Sequence, residues 1–158
     1  MKKIDVEFTL NGKSTALSSY PNRTLLDVLR DDLGLTGVKD ACGGEGECGA
    51  CTVIINGKPV NSCLVFIGQV GGKQVTTIEG ITPEEGYHPI QKAFLEAGAV
   101  QCGFCTPGLI MRLYGLFRNN PKASGEEIRK ALSEHLCRCT GYEAIWEATL
   151  LAQKRLKG

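Results

Sequence analysis

The chain has no run of basic residues and no acidic tail. Its 18 lysines and arginines nearly balance 17 aspartates and glutamates, for a net charge of +1. A nucleic-acid-binding surface has no electrostatic footprint here. No apolar run is long enough to cross a bilayer, so membrane insertion is not expected. The start, Met1 to Phe8, lacks the apolar region of an export signal and alternates like a strand instead. We therefore expect a cytoplasmic protein, with export attached to a signal-bearing partner as the route the sequence leaves open. Low-complexity segments are missing, and so is the lysine–serine pair of a Walker loop. Histidine is scarce, with only His88 and His135. No general base or nucleophile stands out.

What the chain does have is eight cysteines in two sets. Without export, disulfides are not expected, and clustered cysteines point to metal. The second set is Cys102 and Cys105, with Cys137 and Cys139 following later. Each pair runs into a helix start. Thr106 can cap one helix with Pro107 in its first turn, and Thr140 with Glu143 has the spacing of a capping box. Helix N-termini carry partial positive charge, which favours an electron-rich thiolate–metal centre. This pattern reads as an iron–sulfur site, with a second one upstream.

The length fits one domain or two small ones. Ile4 to Leu10 alternates and is followed by Asn11-Gly12, a hairpin signal, with a partner strand near Ser14 to Ser18. Leu25, Leu26, Leu29 and Leu33 have helical spacing. Thr52 to Ile55 reads as a strand before a second hairpin at Asn56-Gly57. Leu64 to Val70 and Val75 to Ile78 read as further strands. From Pro83 the pattern turns helical: Pro89 to Ala97, Thr106 to Asn119, a helix capped by Ser124 and Glu127, and Thr140 to Leu156. The expected fold class is α+β. A mixed-sheet domain over residues 1–80 precedes a small helical bundle over 81–158, the boundary falling between Gly80 and Pro89.

In the first set, Cys42, Cys48 and Cys51 share one glycine-rich loop, and Cys63 returns after a hairpin. A C-x2-C pair with a distant fourth cysteine is similar to the plant-type ferredoxin arrangement for a [2Fe–2S] cluster. That arrangement has four residues in its first gap; this chain has five, Gly43 to Glu47. Gly43, Gly44 and Gly46 tolerate the backbone angles needed to absorb the extra residue. Loop N–H groups must approach cluster sulfides, and side chains at Gly43, Gly44, Gly46 or Gly49 would tend to obstruct them. Gly44 to Gly49 also matches G-x-G-x-x-G, but Cys51 and a strand follow it where a dinucleotide site needs a helix.

Zinc is the competing metal. Structural zinc sites commonly join two close ligand pairs such as C-x2-C. Here Cys137 and Cys139 enclose one residue, and the upstream loop supplies three cysteines. A Rieske centre needs two histidines as ligands; His88 and His135 read as surface or packing residues. A zinc-stapled interaction protein and a free-standing electron carrier remain the alternatives to a dedicated electron-transfer subunit.

With both sets read, the chain resembles the small iron–sulfur subunit of the molybdenum hydroxylases, the xanthine dehydrogenase family. The motifs that carry the resemblance are Glu47 to Val53, Thr77-Ile78-Glu79-Gly80, Gln101 to Gly108 and Cys137 to Tyr142. The resemblance implies a plant-ferredoxin-like β-grasp domain with one [2Fe–2S] cluster on Cys42, Cys48, Cys51 and Cys63. It implies a four-helix bundle with a second on Cys102, Cys105, Cys137 and Cys139. Partners would be a large subunit with a molybdopterin-type molybdenum cofactor and a medium subunit with FAD, in a heterotrimer or a dimer of heterotrimers. Electrons would pass from molybdenum through both clusters to FAD. Gln101 and the Cys139 sulfur would contact the pterin cofactor. Arg138, between two ligands, would either raise the bundle cluster's potential or pair with an acid on a partner.

Overall fold

A computed structural model describes residues 1–157. The first half is built on a hairpin of β1 (Ile4–Leu10) and β2 (Lys13–Ser19), paired antiparallel with Leu10 opposite Lys13. Asn11 and Gly12 take positive φ of 49° and 80°, the conformation that an Asn-Gly hairpin turn requires. Val6, Phe8 and Leu10 face the core on alternate positions. Strands β3 (Thr52–Ile55), β4 (Lys58–Asn61) and β5 (Gln74–Thr76) complete a five-stranded sheet in the order β2-β1-β5-β3-β4. The β1–β5 pair is parallel and the others are antiparallel.

The Leu25–Leu33 stripe forms one short turn of α-helix, α1 (Leu25–Asp27). It then widens into a π turn over Val28–Asp32, closed by the Leu33 N–H on the Val28 carbonyl at 3.1 Å. Apolar spacing over nine residues does not distinguish the two turns. Leu64 to Val70 is not a strand. Two 3-10 turns, Ser62–Leu64 and Ile67–Gln69, bend this segment beneath α1. Its backbone pairs with the start of α1 and the residues before it: Leu25 N–H donates to Val65 O and Ile67 N–H to Arg23 O. The β5 strand ends at Thr76, and Ile78–Ile81 forms a helical turn, α2.

The Thr77–Gly80 motif is a fastener. The Asn11 carboxamide accepts from Thr77 N–H at 2.8 Å and donates to its hydroxyl at 3.0 Å. Glu79 accepts from that hydroxyl at 2.6 Å and from Gly37 N–H at 2.8 Å. The segment thus ties the first hairpin to the loop that leads into Cys42.

The second half is helical: α3 (Pro89–Glu96), α4 (Thr106–Asn119), α5 (Gly125–Ser133) and α6 (Glu143–Lys157). The α3 helix packs along α6, and α4 along α5. Ile90, Phe94, Leu109, Leu113, Ile128 and Ile145 form their common core. Ser124 caps α5 with Glu127 as its reciprocal partner. His88 caps α3, its Nδ1 accepting from Ile90 N–H at 3.3 Å. The other two starts differ from expectation. Cys105, not Thr106, stands at the α4 N-cap position. No Thr140–Glu143 box forms, and the Thr140 hydroxyl faces Cys137 instead.

The α4 helix is the seam between the halves. Strand β3 is buried on both faces, and its Ile54 belongs to the helical core. Gly108 and Gly115, two turns apart on α4, let this approach happen. A Cβ on Gly108 would lie 2.5 Å from Gly49 O and 3.0 Å from Ala50 Cα. One on Gly115 would lie 2.8 Å from Pro59 Cδ and 3.0 Å from Ile54 Cδ1. We expect Gly108→Ala to destabilise the protein by about 1–3 kcal/mol in denaturant unfolding, the usual cost of overpacking. Gly125→Ala, where an added Cβ meets only Trp146 at 3.6 Å, should stay within about 0.5 kcal/mol of the parent. Equal stability of the two variants would contradict the close seam.

Candidate metal centres

All eight cysteines are free of disulfides. In the first set the thiols meet in pairs: Cys42 lies beside Cys48, and Cys63 beside Cys51. The second set does the same, with Cys105 beside Cys137 and Cys139 beside Cys102. Among the described residues no three His, Cys, Asp or Glu side chains gather as one metal ion would require. Two thiols per iron on two irons is the ligand pattern of a [2Fe–2S] cluster. In donor type, number and pairing, both quartets fit that group.

The Cys42–Cys51 loop owes its shape to glycine. Gly46 and Gly49 have φ of 77° and 69°, where side chains are strained. They also have no room: a Cβ on Gly46 would lie 2.6 Å from Leu64, and one on Gly49 2.6 Å from the Glu134 carbonyl. At Gly43 and Gly44 the space is open, so there the positive φ alone favours glycine. Burial pushes the Cys42 thiol up, but backbone hydrogen bonds from Cys48, Glu47 and Gly46, with the Cys48 thiol, outweigh it. The net value is lowered to about 7. Backbone donors therefore point at this sulfur and favour its thiolate form, the form that binds metal. Cys63 goes the other way, to about 12, because burial and the neighbouring Cys51 and Cys42 sulfurs disfavour its charge. Like charges in one apolar site call for a cation between them.

In the helical half, Cys105 sits at the α4 N-terminus, where unpaired backbone N–H groups favour negative charge. Burial and the adjacent Cys137 and Cys102 sulfurs push its thiol up to about 12. Cys102, Cys139 and Gln101 lie exposed on one side of this site, whereas Cys105 is buried. Arg138 is exposed between its two cysteine neighbours.

Spacing gave no sign of how the two sites meet. Leu136 N–H donates to the Cys48 carbonyl at 3.1 Å, so a residue adjacent to Cys137 bonds directly to a cysteine of the other set. His135, only 1 % exposed, lies in the same seam. It is a packing residue, as expected, but its Nε2 is 3.1 Å from the Thr52 hydroxyl. That hydroxyl gives its single proton to the Gly49 carbonyl at 2.7 Å, so the Nε2–H of His135 donates to it. Burial, with the charge of Arg112, lowers the His135 pKa to about 4 and keeps the ring neutral.

Residues 8–73 match the 2Fe-2S iron-sulfur cluster binding domain family, and residues 77–150 the [2Fe-2S] binding domain family. The nicotinate dehydrogenase small FeS subunit of Eubacterium barkeri is 48% identical over 155 residues, 98% of each chain. The chain belongs to the small iron–sulfur subunits of the molybdenum hydroxylases. As such a subunit it transfers electrons and carries two [2Fe–2S] clusters, and the substrate-converting site lies on another chain. Quinoline 2-oxidoreductase from Pseudomonas putida 86 has a chain that superposes with a TM-score of 0.91 at 37% identity, covering 100% of the subunit and 99% of that chain. Aldehyde oxidoreductase from Desulfovibrio gigas superposes with a TM-score of 0.93 at 42% identity. It covers 98% of the subunit, which spans only 17% of that chain.

Proposed function

We propose that Cys42, Cys48, Cys51 and Cys63 hold one cluster and Cys102, Cys105, Cys137 and Cys139 the other. The first site belongs to a β-grasp domain over residues 1–80, the second to a four-helix bundle over 81–158. The subunit carries electrons from a molybdopterin-type molybdenum cofactor on a large subunit to FAD on a medium subunit. It acts in the cytoplasm, within a heterotrimer or a dimer of heterotrimers. Each bound cluster takes up and gives up one electron at a time.

The observation that carries this reading is the contact between ligand segments, Leu136 N–H on the Cys48 carbonyl at 3.1 Å. A carrier with two clusters needs them close and fixed, and this bond joins the backbones that present Cys137 and Cys48. The exposure gradient supports the order. Cys102, Cys139 and Gln101 are exposed at the helical site, while Cys48 and Cys51 are buried. The outward side is where a pterin on the large subunit would meet the Gln101 side chain and the Cys139 sulfur. The likeness to a longer aldehyde oxidoreductase chain, of which the subunit spans 17%, supports a large partner. No helix among the described residues is long and apolar enough to cross a membrane.

Purified protein should contain about four iron and four acid-labile sulfide per chain, with two distinct EPR signals after dithionite reduction. Zinc without sulfide would return the chain to the interaction-protein reading. Half the iron with one signal would remove one of the two cysteine assignments. In the assembled enzyme, Gln101→Ala should slow turnover without changing iron content or either EPR signal. Turnover equal to the parent's would remove Gln101 from the cofactor contact.

A further inference from the structure

The turn Cys137–Tyr142 contains a hydrogen-bond network that ligation alone does not require. Among the described residues, Tyr142 is one of three non-glycine residues with positive φ, at 71°. The other two are the hairpin asparagines Asn11 and Asn56, for which this conformation is ordinary. For an aromatic residue it is costly and persists only where the surroundings hold it. Here the surroundings are the ligand segment. Cys137 N–H donates to the Tyr142 hydroxyl at 2.9 Å, and that hydroxyl donates to the His135 carbonyl at 3.1 Å. The Tyr142 N–H donates to the Thr140 hydroxyl at 3.2 Å. The Thr140 hydroxyl lies 3.1 Å from Cys137 Sγ, and the Thr140 N–H donates to the same sulfur at 3.4 Å.

As a cluster ligand, Cys137 has no proton left to give. The direction of the Thr140 contact then follows: the hydroxyl must donate to sulfur. One of its two lone pairs accepts from Tyr142 N–H, and its proton goes to Sγ. One ligand sulfur therefore receives two local hydrogen bonds. Hydrogen bonds to ligand sulfur stabilise the reduced cluster, which carries one more negative charge, and so raise its potential.

We propose that Thr140 sets the reduction potential of the helical-domain cluster by donating its hydroxyl to Cys137 Sγ, with Tyr142 as the positioning residue that aims it. This rests on the assignment of Cys137 as a ligand.

The test is an EPR-monitored redox titration of the holoprotein in its assembled form, comparing the parent with Thr140→Val, Thr140→Ala and Thr140→Ser. In the valine and alanine variants the helical-domain signal should titrate lower. The expected size is about tenfold less reduced cluster at a fixed potential, about 59 mV for one electron. The other signal is the internal control and should not move. Thr140→Ser restores the hydroxyl and should titrate like the parent. Unchanged potentials with both clusters present would overturn the proposal, as would equal shifts of both signals or a serine variant that behaves like valine. If valine and alanine lose the cluster while serine keeps it, the hydroxyl holds the ligand rather than tuning it, and the proposal also falls. A parent lacking the second EPR signal would instead sink the ligand assignment itself.

Discussion

Everything in this molecule depends on how closely α4 and the turn after α5 approach the Cys48–Ala50 backbone. Gly108 on α4 and Gly49 in the loop leave no room for side chains at the crossing. The Leu136–Cys48 hydrogen bond then fixes the register between the two cysteine sets. The buried His135–Thr52 contact closes the seam beside it. Two of these contacts are polar, one between backbones and one between side chains. They order two segments that would otherwise move independently, which an apolar interface alone would do less specifically. A small sheet and a small helical core each bury modest surface, so the seam and the metal centres supply the restraint that core size does not.

The two sites use different means to reach the same end. In the sheet half, glycines with positive φ turn loop N–H groups toward sulfur, and the Cys42 thiol is lowered to about 7. In the helical half, the N-terminus of α4 and the Thr140 hydroxyl and N–H provide the donors. Potential in iron–sulfur proteins follows hydrogen bonding and exposure as well as cluster type. Two sites with different donor sets and different exposure are suited to different potentials.

Much of this was legible in the sequence because it is encoded locally. The hairpins at Asn11-Gly12 and Asn56-Gly57, the limits of α4 and the Ser124 cap each follow from a few adjacent residues. Cysteine spacing separated the two sets. The misreadings arose where tertiary contacts overrode local pattern. Leu64 to Val70 has strand-like residues but bends beneath α1, because its backbone bonds to the Arg23–Leu25 segment. Thr140 has capping-box spacing, yet a local turn claims its hydroxyl, which accepts from Tyr142 N–H and faces Cys137 Sγ. The seam left almost no trace, since nothing in the spacing of Leu136 or His135 marks a partner some 83 residues away at Thr52.

The central claim is that the two cysteine sets are held near one another as one electron-transfer unit. Stepwise reduction followed by EPR addresses it directly. The account predicts simple signals while one cluster per chain is reduced, and additional splitting of both when both are paramagnetic, from mutual spin–spin interaction. Two signals that stay unsplit through full reduction would mean that the clusters are far apart, and the seam described here would not be the path between them.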